Sequence, residues 1–309
     1  MATPQAAAGG GSAAGPPGPG RIPIPVRYAG LVLAWGLNYV VVRWGLGFAA
    51  PIWLAAGRAV VGALCVALFL AAAPARRGHL DPAGRRDAIL LGLPTTTVFF
   101  GLWFAAATQI LPGEAAVLVY TFPLWVTVFA VPLQGDRPRP LALAALAVGF
   151  AGVVLVSQPW AAGGPLPVLP TVALLVGAVS WAIGTVLFQS RFRAHEMQEA
   201  NLYQLAGGSA GLLLAALLFE PSLPVPSVPL AAAVLWLGAV GTAFGYATWY
   251  GLLAELPAPT LSAYLFLVPL VALVVSVAVF AEALTAVQAV GVIAVGASIY
   301  GTARGRRPG

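Results

Sequence analysis

The chain has 309 residues, 60% of them hydrophobic and only 8% charged, with a formal net charge of +6 at neutral pH. Average soluble domains are about 25% charged, so a soluble globule is excluded. In a soluble protein the positive balance would point to nucleic acid; here every basic residue is an arginine, most of them flank apolar runs, and no nucleic-acid partner is expected.

Residues 1–25 are rich in Ala, Gly, Pro and Ser and cannot bury a core, so they read as a disordered cytoplasmic tail. They lack the basic start and apolar core of a signal peptide. Ten apolar runs follow: Tyr28–Leu46, Ile52–Ala73, Ala88–Ile110, Ala115–Leu133, Leu141–Val156, Leu169–Phe188, Leu202–Phe219, Leu230–Leu253, Thr260–Phe280 and Leu284–Ala303. Each is near the roughly 20 residues a helix needs to cross the hydrocarbon layer. Lipid offers the backbone no hydrogen-bond partners, so such runs must be helices. The alternating strands of a membrane barrel are absent. The expected fold is an all-α membrane protein with ten transmembrane helices.

Arginine placement gives the orientation, because cytoplasmic loops carry the excess of basic residues. With the N-terminus inside, Arg21, Arg27, Arg76, Arg77, Arg85, Arg86, Arg137, Arg139, Arg191, Arg193, Arg304, Arg306 and Arg307 all fall in inner segments. Arg43 and Arg58 lie within spans, and no outer loop holds an arginine. Both termini are therefore expected in the cytoplasm of a bacterial inner (plasma) membrane protein.

The chain also repeats itself at an offset of 146 residues, which carries Trp35 to Trp181, Thr96 to Thr242, Trp103 to Trp249, Gln109 to Glu255 and Pro123 to Pro269. This divides it into a first five-helix repeat (26–156), a linker (157–168), a second five-helix repeat (169–303) and a basic cytoplasmic tail (304–309). Five crossings leave the chain on the opposite face, so the second copy enters upside down. Two inverted repeats around a midplane site are an architecture of alternating-access transporters. A channel, or a scaffold duplicated only for assembly, stays open as an alternative.

Catalysis finds no support in these residues. Cys65 is alone, and His195-Glu196 opens like a zinc-protease motif but has Glu199 where the second histidine belongs. Gly207-Gly208-Ser209-Ala210-Gly211 spells GxSxG, but inside a span and with no histidine in any span. No metal or other cofactor is expected. Gly207/Gly211 and Gly241/Gly245 have the spacing that lets helices approach closely and read as packing.

Candidate ligand contacts are polar-capable groups inside the spans: Trp35, Asn38, Tyr39, Arg58, Trp103, Tyr120, Trp181, Tyr246, Trp249 and Tyr264. Indole N–H and phenol O–H groups need partners, which a solute can supply. A buried cation is expensive in a bilayer, so Arg58 needs an explanation. A salt bridge with Glu114 on the same outer side would supply one, and that pair could act as an outer gate. The counterparts of Arg43 and Arg58 are Gln189 and Gln204, an asymmetry fitting a directional or anion-selective cavity. Arg43, beside Trp44 near a span end, reads as an interfacial anchor. Trp44, Trp53 and Trp160 read as belt residues. Pro123 and Pro269 break spans four and nine and are candidate gating elements.

The motifs Trp35-Gly36-Leu37-Asn38, Arg58 after Pro51, Gly113-Glu114-Ala115-Ala116 with Pro123-Leu124, and Ala281-Glu282-Ala283-Leu284 with Gln288 and Gly291 resemble those of the EamA family of the drug/metabolite transporter superfamily. The likeness runs from Arg27 to Ala303. It departs from the family's Gly-Glu turn, which here reads Gly135-Asp136 and Ala281-Glu282. The resemblance implies a ten-helix transporter of amino acids, metabolites or related small organic compounds, often acting outward. A monomer suffices for that mechanism, with the lipid bilayer and a small-molecule substrate as partners.

Overall fold

The computed structural model describes residues 22–74, 77–110, 112–135, 138–162, 167–271, 273–274 and 284–304. Its elements are helices, and the described residues contain no strand. Most of the N-terminal tail, Asp136, the Ala281-Glu282 turn, the middle of the linker and the end of the basic tail lie outside the described residues.

Helix α1 (Ile24–Gly45) and helix α2 (Pro51–Ala72) both begin with a proline in the first turn, where a missing N–H costs nothing. The carboxylate of Glu220 covers the start of α2, accepting hydrogen bonds from the Ile52 and Trp53 amides at 2.9 and 3.0 Å. The third rod is composite: α3 (Pro82–Gly92), a π-helical turn (Leu93–Val98) and α4 (Phe99–Ala106). It starts six residues before the expected Ala88, because Asp81 caps it by accepting from the Gly84 amide at 2.7 Å. Arg85, Arg86 and Asp87 therefore stand on helix rather than in a loop.

The fourth rod breaks at Tyr120–Thr121 between α5 (Pro112–Val119) and α6 (Phe122–Gln134). Pro123 follows the break, as expected of a residue that cannot continue the amide ladder. Gly135 closes α6 at φ +69°, the left-handed cap that glycine takes most cheaply. Then come α7 (Pro140–Ser157), α8 (Val168–Arg191) and α9 (Met197–Phe219). The next rod repeats the composite plan: α10 (Val228–Leu235), a π-helical turn (Trp236–Phe244) and α11 (Gly245–Leu253). Helix α12 (Ala258–Ala263) passes into a 3-10 turn (Tyr264–Leu267), two residues ahead of Pro269. Helix α13 (Ala286–Arg304) opens with a reciprocal capping box. The Thr285 amide donates to Gln288 Oε1 at 3.0 Å, and the Gln288 amide donates to the Thr285 hydroxyl at 3.1 Å.

Eight of the described helical rods are long and apolar enough to cross a membrane, and two shorter apolar segments, Ala258–Val271 and Ala286–Thr302, accompany them. The ninth expected span runs on to Phe280, past the described residues. Helix α7 lies along α13 and α2 along α9. Small residues permit these approaches: a Cβ on Gly152 would stand 2.9 Å from the Gly291 carbonyl. Leu68, Leu217 and Ile293 face outward and are exposed, on the surface that lipid would cover.

Candidate functional site

The two π-helical turns bring the site together. Each turn adds a residue to the helix repeat, which loosens the local ladder and turns carbonyls and hydroxyls toward neighbouring helices. In the first turn the Thr95 and Thr96 hydroxyls reach Gln204 Oε1 on α9, at 2.7 and 3.0 Å. In the second, the Thr242 hydroxyl accepts from Arg58 Nε on α2 at 3.0 Å. The carbonyls are used as well. Trp35 Nε1 donates to the Gly241 carbonyl at 3.0 Å, and the Tyr246 hydroxyl donates to the Thr95 carbonyl at 3.4 Å.

Between these turns is a cavity of about 60 Å³ lined by Trp35, Asn38, Tyr39, Arg58, Phe99, Phe100, Trp103, Val119, Tyr120, Trp181, Tyr246 and Leu265. That is room for a few waters and less than the roughly 300 Å³ of an open ligand pocket. Its walls are rings in mutual contact. Trp35 meets Trp181 edge-on at 5.6 Å, Phe99 stacks on Trp181 at 4.9 Å, and Tyr39 meets Trp103 edge-on at 5.5 Å. Two glycines hold the polar corner: a Cβ on Gly241 would collide with the Asn38 amide, and one on Gly245 with the Trp35 indole. The spacing read as packing thus also seats two cavity residues.

Eight of the ten residues singled out from sequence line this cavity. Trp249 and Tyr264 do not. Trp249 is fully buried behind the wall, against Trp35, Trp181 and Phe122. Tyr264 is half-buried and packs edge-on against Tyr28 at 5.5 Å. The sequence reasoning missed Phe99, Phe100, Val119 and Leu265, apolar side chains that composition cannot tell from any other core residue.

The expected ion pair between Arg58 and Glu114 is not formed. Arg58 is 2% exposed and turned toward α4 and the second π-helical turn. Its guanidinium carbon is 4.2 Å from the Phe100 ring centre and 5.6 Å from that of Phe104, and its one hydrogen bond among the described residues goes to Thr242. Ring faces and a hydroxyl take the place of a carboxylate. Glu114 is buried in the first turn of α5, where the helix dipole favours its charge. Arg43 is exposed in the last turn of α1, in keeping with an anchor. It borders a second small cavity of about 30 Å³ that shares Tyr39 and Trp103 with the first. Trp44 and Trp160 are exposed, as belt residues should be, whereas half-buried Trp53 donates its indole N–H to the Glu220 carbonyl at 2.8 Å.

At the opposite end from Arg43, ion pairs tie the rods together. Both terminal nitrogens of Arg27 donate to the Glu255 carboxylate, at 3.0 and 2.8 Å. Arg191 Nε donates to Asp87 at 2.6 Å. Gln189 fastens the same end: its amide nitrogen donates to the Leu253 and Leu256 carbonyls, both at 2.7 Å, and its oxygen accepts from the Ala258 amide at 2.9 Å.

Comparison with known proteins gives the same architecture a relation. A solved crystal structure that is 22% identical superposes with a TM-score of 0.75, covering 91% of this chain and 97% of the other, and so shares the fold. The uncharacterized inner membrane transporter YedA of Escherichia coli is 28% identical over 270 residues, covering 85% of each chain. A probable amino-acid metabolite efflux pump of Salmonella typhimurium is 29% identical over 288 residues, covering 87% of this chain and 91% of the pump. An uncharacterized transporter of Bacillus subtilis, YvbV, is 27% identical and covers 87% of this chain. The profile of the EamA-like transporter family matches twice, over residues 28–158 and 169–304, and the chain belongs to that family.

Proposed function

We propose that this protein is a multi-pass inner-membrane exporter of small organic metabolites, amino acids or related compounds, working by alternating access. In this reading ten helices form two inverted repeats, 26–156 and 169–303, with both termini in the cytoplasm. The cavity between them is the substrate site. The observation that carries it is the exchange of partners across the halves: Arg58 bonds Thr242, while Thr96 bonds Gln204, the positions 146 residues away from each. Trp35 with Trp181, Phe100 with Tyr246 and Val119 with Leu265 are likewise matched across the offset and line one cavity. Such reciprocity is what a pseudo-two-fold axis through the cavity requires.

The inner ends are closed in this conformation by Arg27–Glu255 and Arg191–Asp87, and the narrow passage past Tyr39 and Trp103 leads toward the outer ends. Opening to the cytoplasm breaks the inner pairs, and the broken rods at Tyr120–Thr121 and Tyr264–Leu267 flex where Pro123 and Pro269 interrupt them. Export accords with the efflux named for the Salmonella relative. Proteoliposomes loaded with unlabelled amino acids or other small organic carboxylates and challenged with the labelled compound test this. Saturable uptake stimulated by the counter-substrate is the expected result. Flux that is linear in concentration would mean a channel, and no flux across a broad metabolite panel would mean a scaffold.

A further inference from the structure

Among the described residues, the cavity carries one cation and no carboxylate to neutralise it. Arg58 spends one of its five N–H donors on Thr242, and its two terminal nitrogens bond no described residue and pair with no described carboxylate. Neither an acid nor a histidine lines the cavity. Two further donors on its lining residues, the indole nitrogens of Trp103 and Trp181, are buried without a partner, as is one acceptor, Asn38 Oδ1. Burying polar groups unpaired is costly, and a charge most of all, so the donors of this set, which outnumber the one acceptor, are satisfied only by an acceptor-rich guest. The remaining surface is aromatic and aliphatic.

Resting on the transporter reading above, we propose that the substrate is a monoanionic carboxylate with an apolar, planar body. The two terminal nitrogens of Arg58 grip the carboxylate in parallel, the geometry a guanidinium fork offers and an ammonium does not. The rings of Trp35, Phe99 and Trp181 receive the body, and Asn38 sits at the polar edge. The cavity widens to admit it, since 60 Å³ holds only waters. A cationic amine is disfavoured beside the unneutralised guanidinium.

The test is binding to the purified full chain in detergent, by calorimetry, of three probes of matched shape: phenylacetate, phenylacetamide and phenethylamine. The acid should bind at least tenfold more tightly than the amide, and the amine not measurably. Arg58→Gln, which takes the residue of its counterpart Gln204, should erase the preference for the acid, whereas Arg58→Lys should keep part of it. Equal affinity of the wild-type chain for acid and amide overturns the proposal, and that arm needs no variant to fold. A preference for the acid that survives in Arg58→Gln also overturns it. Acid binding without counterflow in proteoliposomes would leave the ligand class standing and sink the transport reading; counterflow of the amide as fast as the acid would do the reverse.

Discussion

The two halves of this molecule use the same positions for opposite ends. On α9, Gln204 is wholly spent on structure: its oxygen serves Thr95 and Thr96 and its nitrogen donates to Asn201 Oδ1 at 3.1 Å. On α2, Arg58 occupies the matching place, keeps one structural bond and turns its remaining donors to the cavity. The pattern recurs around the site. Asn38, Tyr39 and Tyr120 line the cavity, while the positions matching them in the second half hold Gly184, Thr185 and Phe266, which do not. A duplicated scaffold has kept its framework contacts in both copies and concentrated its polar chemistry in one.

The comparison breaks most visibly at the glycines. A Cβ on Gly92 would collide with the Gln204 carbonyl and lie 2.5 Å from the Gly208 amide nitrogen, both backbone atoms that cannot step aside. A Cβ on its counterpart Gly238 would lie 2.5 Å from Val61 Cβ, which side-chain rotation does not move, and 3.1 Å from the Arg58 carbonyl, so α2 must shift there too, though by less than the backbone collision at Gly92 demands. Gly92→Ala should therefore cost about 3 kcal/mol or prevent folding, and Gly238→Ala about 2 kcal/mol. Thermal unfolding in detergent reads the difference, and equal losses would argue against distinct roles for the two crossings.

Next in size is the division of labour between Gln204 and Arg58. Gln204→Leu leaves the Thr96 hydroxyl and the Asn201 amide oxygen without their partner and should cost about 2 kcal/mol. Arg58→Gln removes a cation held by ring faces but also relieves an unneutralised buried charge, so its stability change should stay within about 1 kcal/mol. Transport should respond the other way, with Arg58→Gln losing counterflow and Gln204→Leu retaining it in whatever fraction folds. Matching effects on both readouts would erase the distinction.

The smallest stability effect belongs to the Arg27–Glu255 pair. Arg27 and Glu255 are each about one-fifth exposed, at 20% and 23%, and such pairs contribute less than about 1 kcal/mol. Glu255→Gln should therefore leave the melting temperature almost unchanged while raising thiol labelling, from the cytoplasmic side, of a cysteine placed at Ala254. Unchanged labelling would mean that this contact does not close the passage.

Much of this was legible in the sequence for a physical reason. Long apolar runs, Pro-led helix starts and the repeated Trp, Thr and Pro positions are constraints of the bilayer and backbone, and they surface directly in residue type. Eight cavity residues could be named because a polar-capable side chain within a span needs a partner. What stayed hidden depended on geometry that no residue type announces. Nothing in Leu93–Val98 or Trp236–Phe244 marks a π-helical turn beforehand, yet those turns aim Thr242 at Arg58 and so displace the ion pair expected with Glu114. Trp249 looks like its counterpart Trp103 in sequence, but only Trp103 reaches the cavity, because Phe122 and Trp181 cover the other. A helix start is hidden where its cap, such as Asp81, lies outside the apolar run.

Inversion of the halves is most directly tested at one matched pair of loop positions, Gly47 and Arg193, which the 146-residue offset relates. Single cysteines at each, introduced with Cys65→Ser, can be labelled in intact cells and in inverted vesicles. The account predicts that Gly47→Cys reacts only from the outside and Arg193→Cys only from the cytoplasm. Labelling of both from the same face would contradict it.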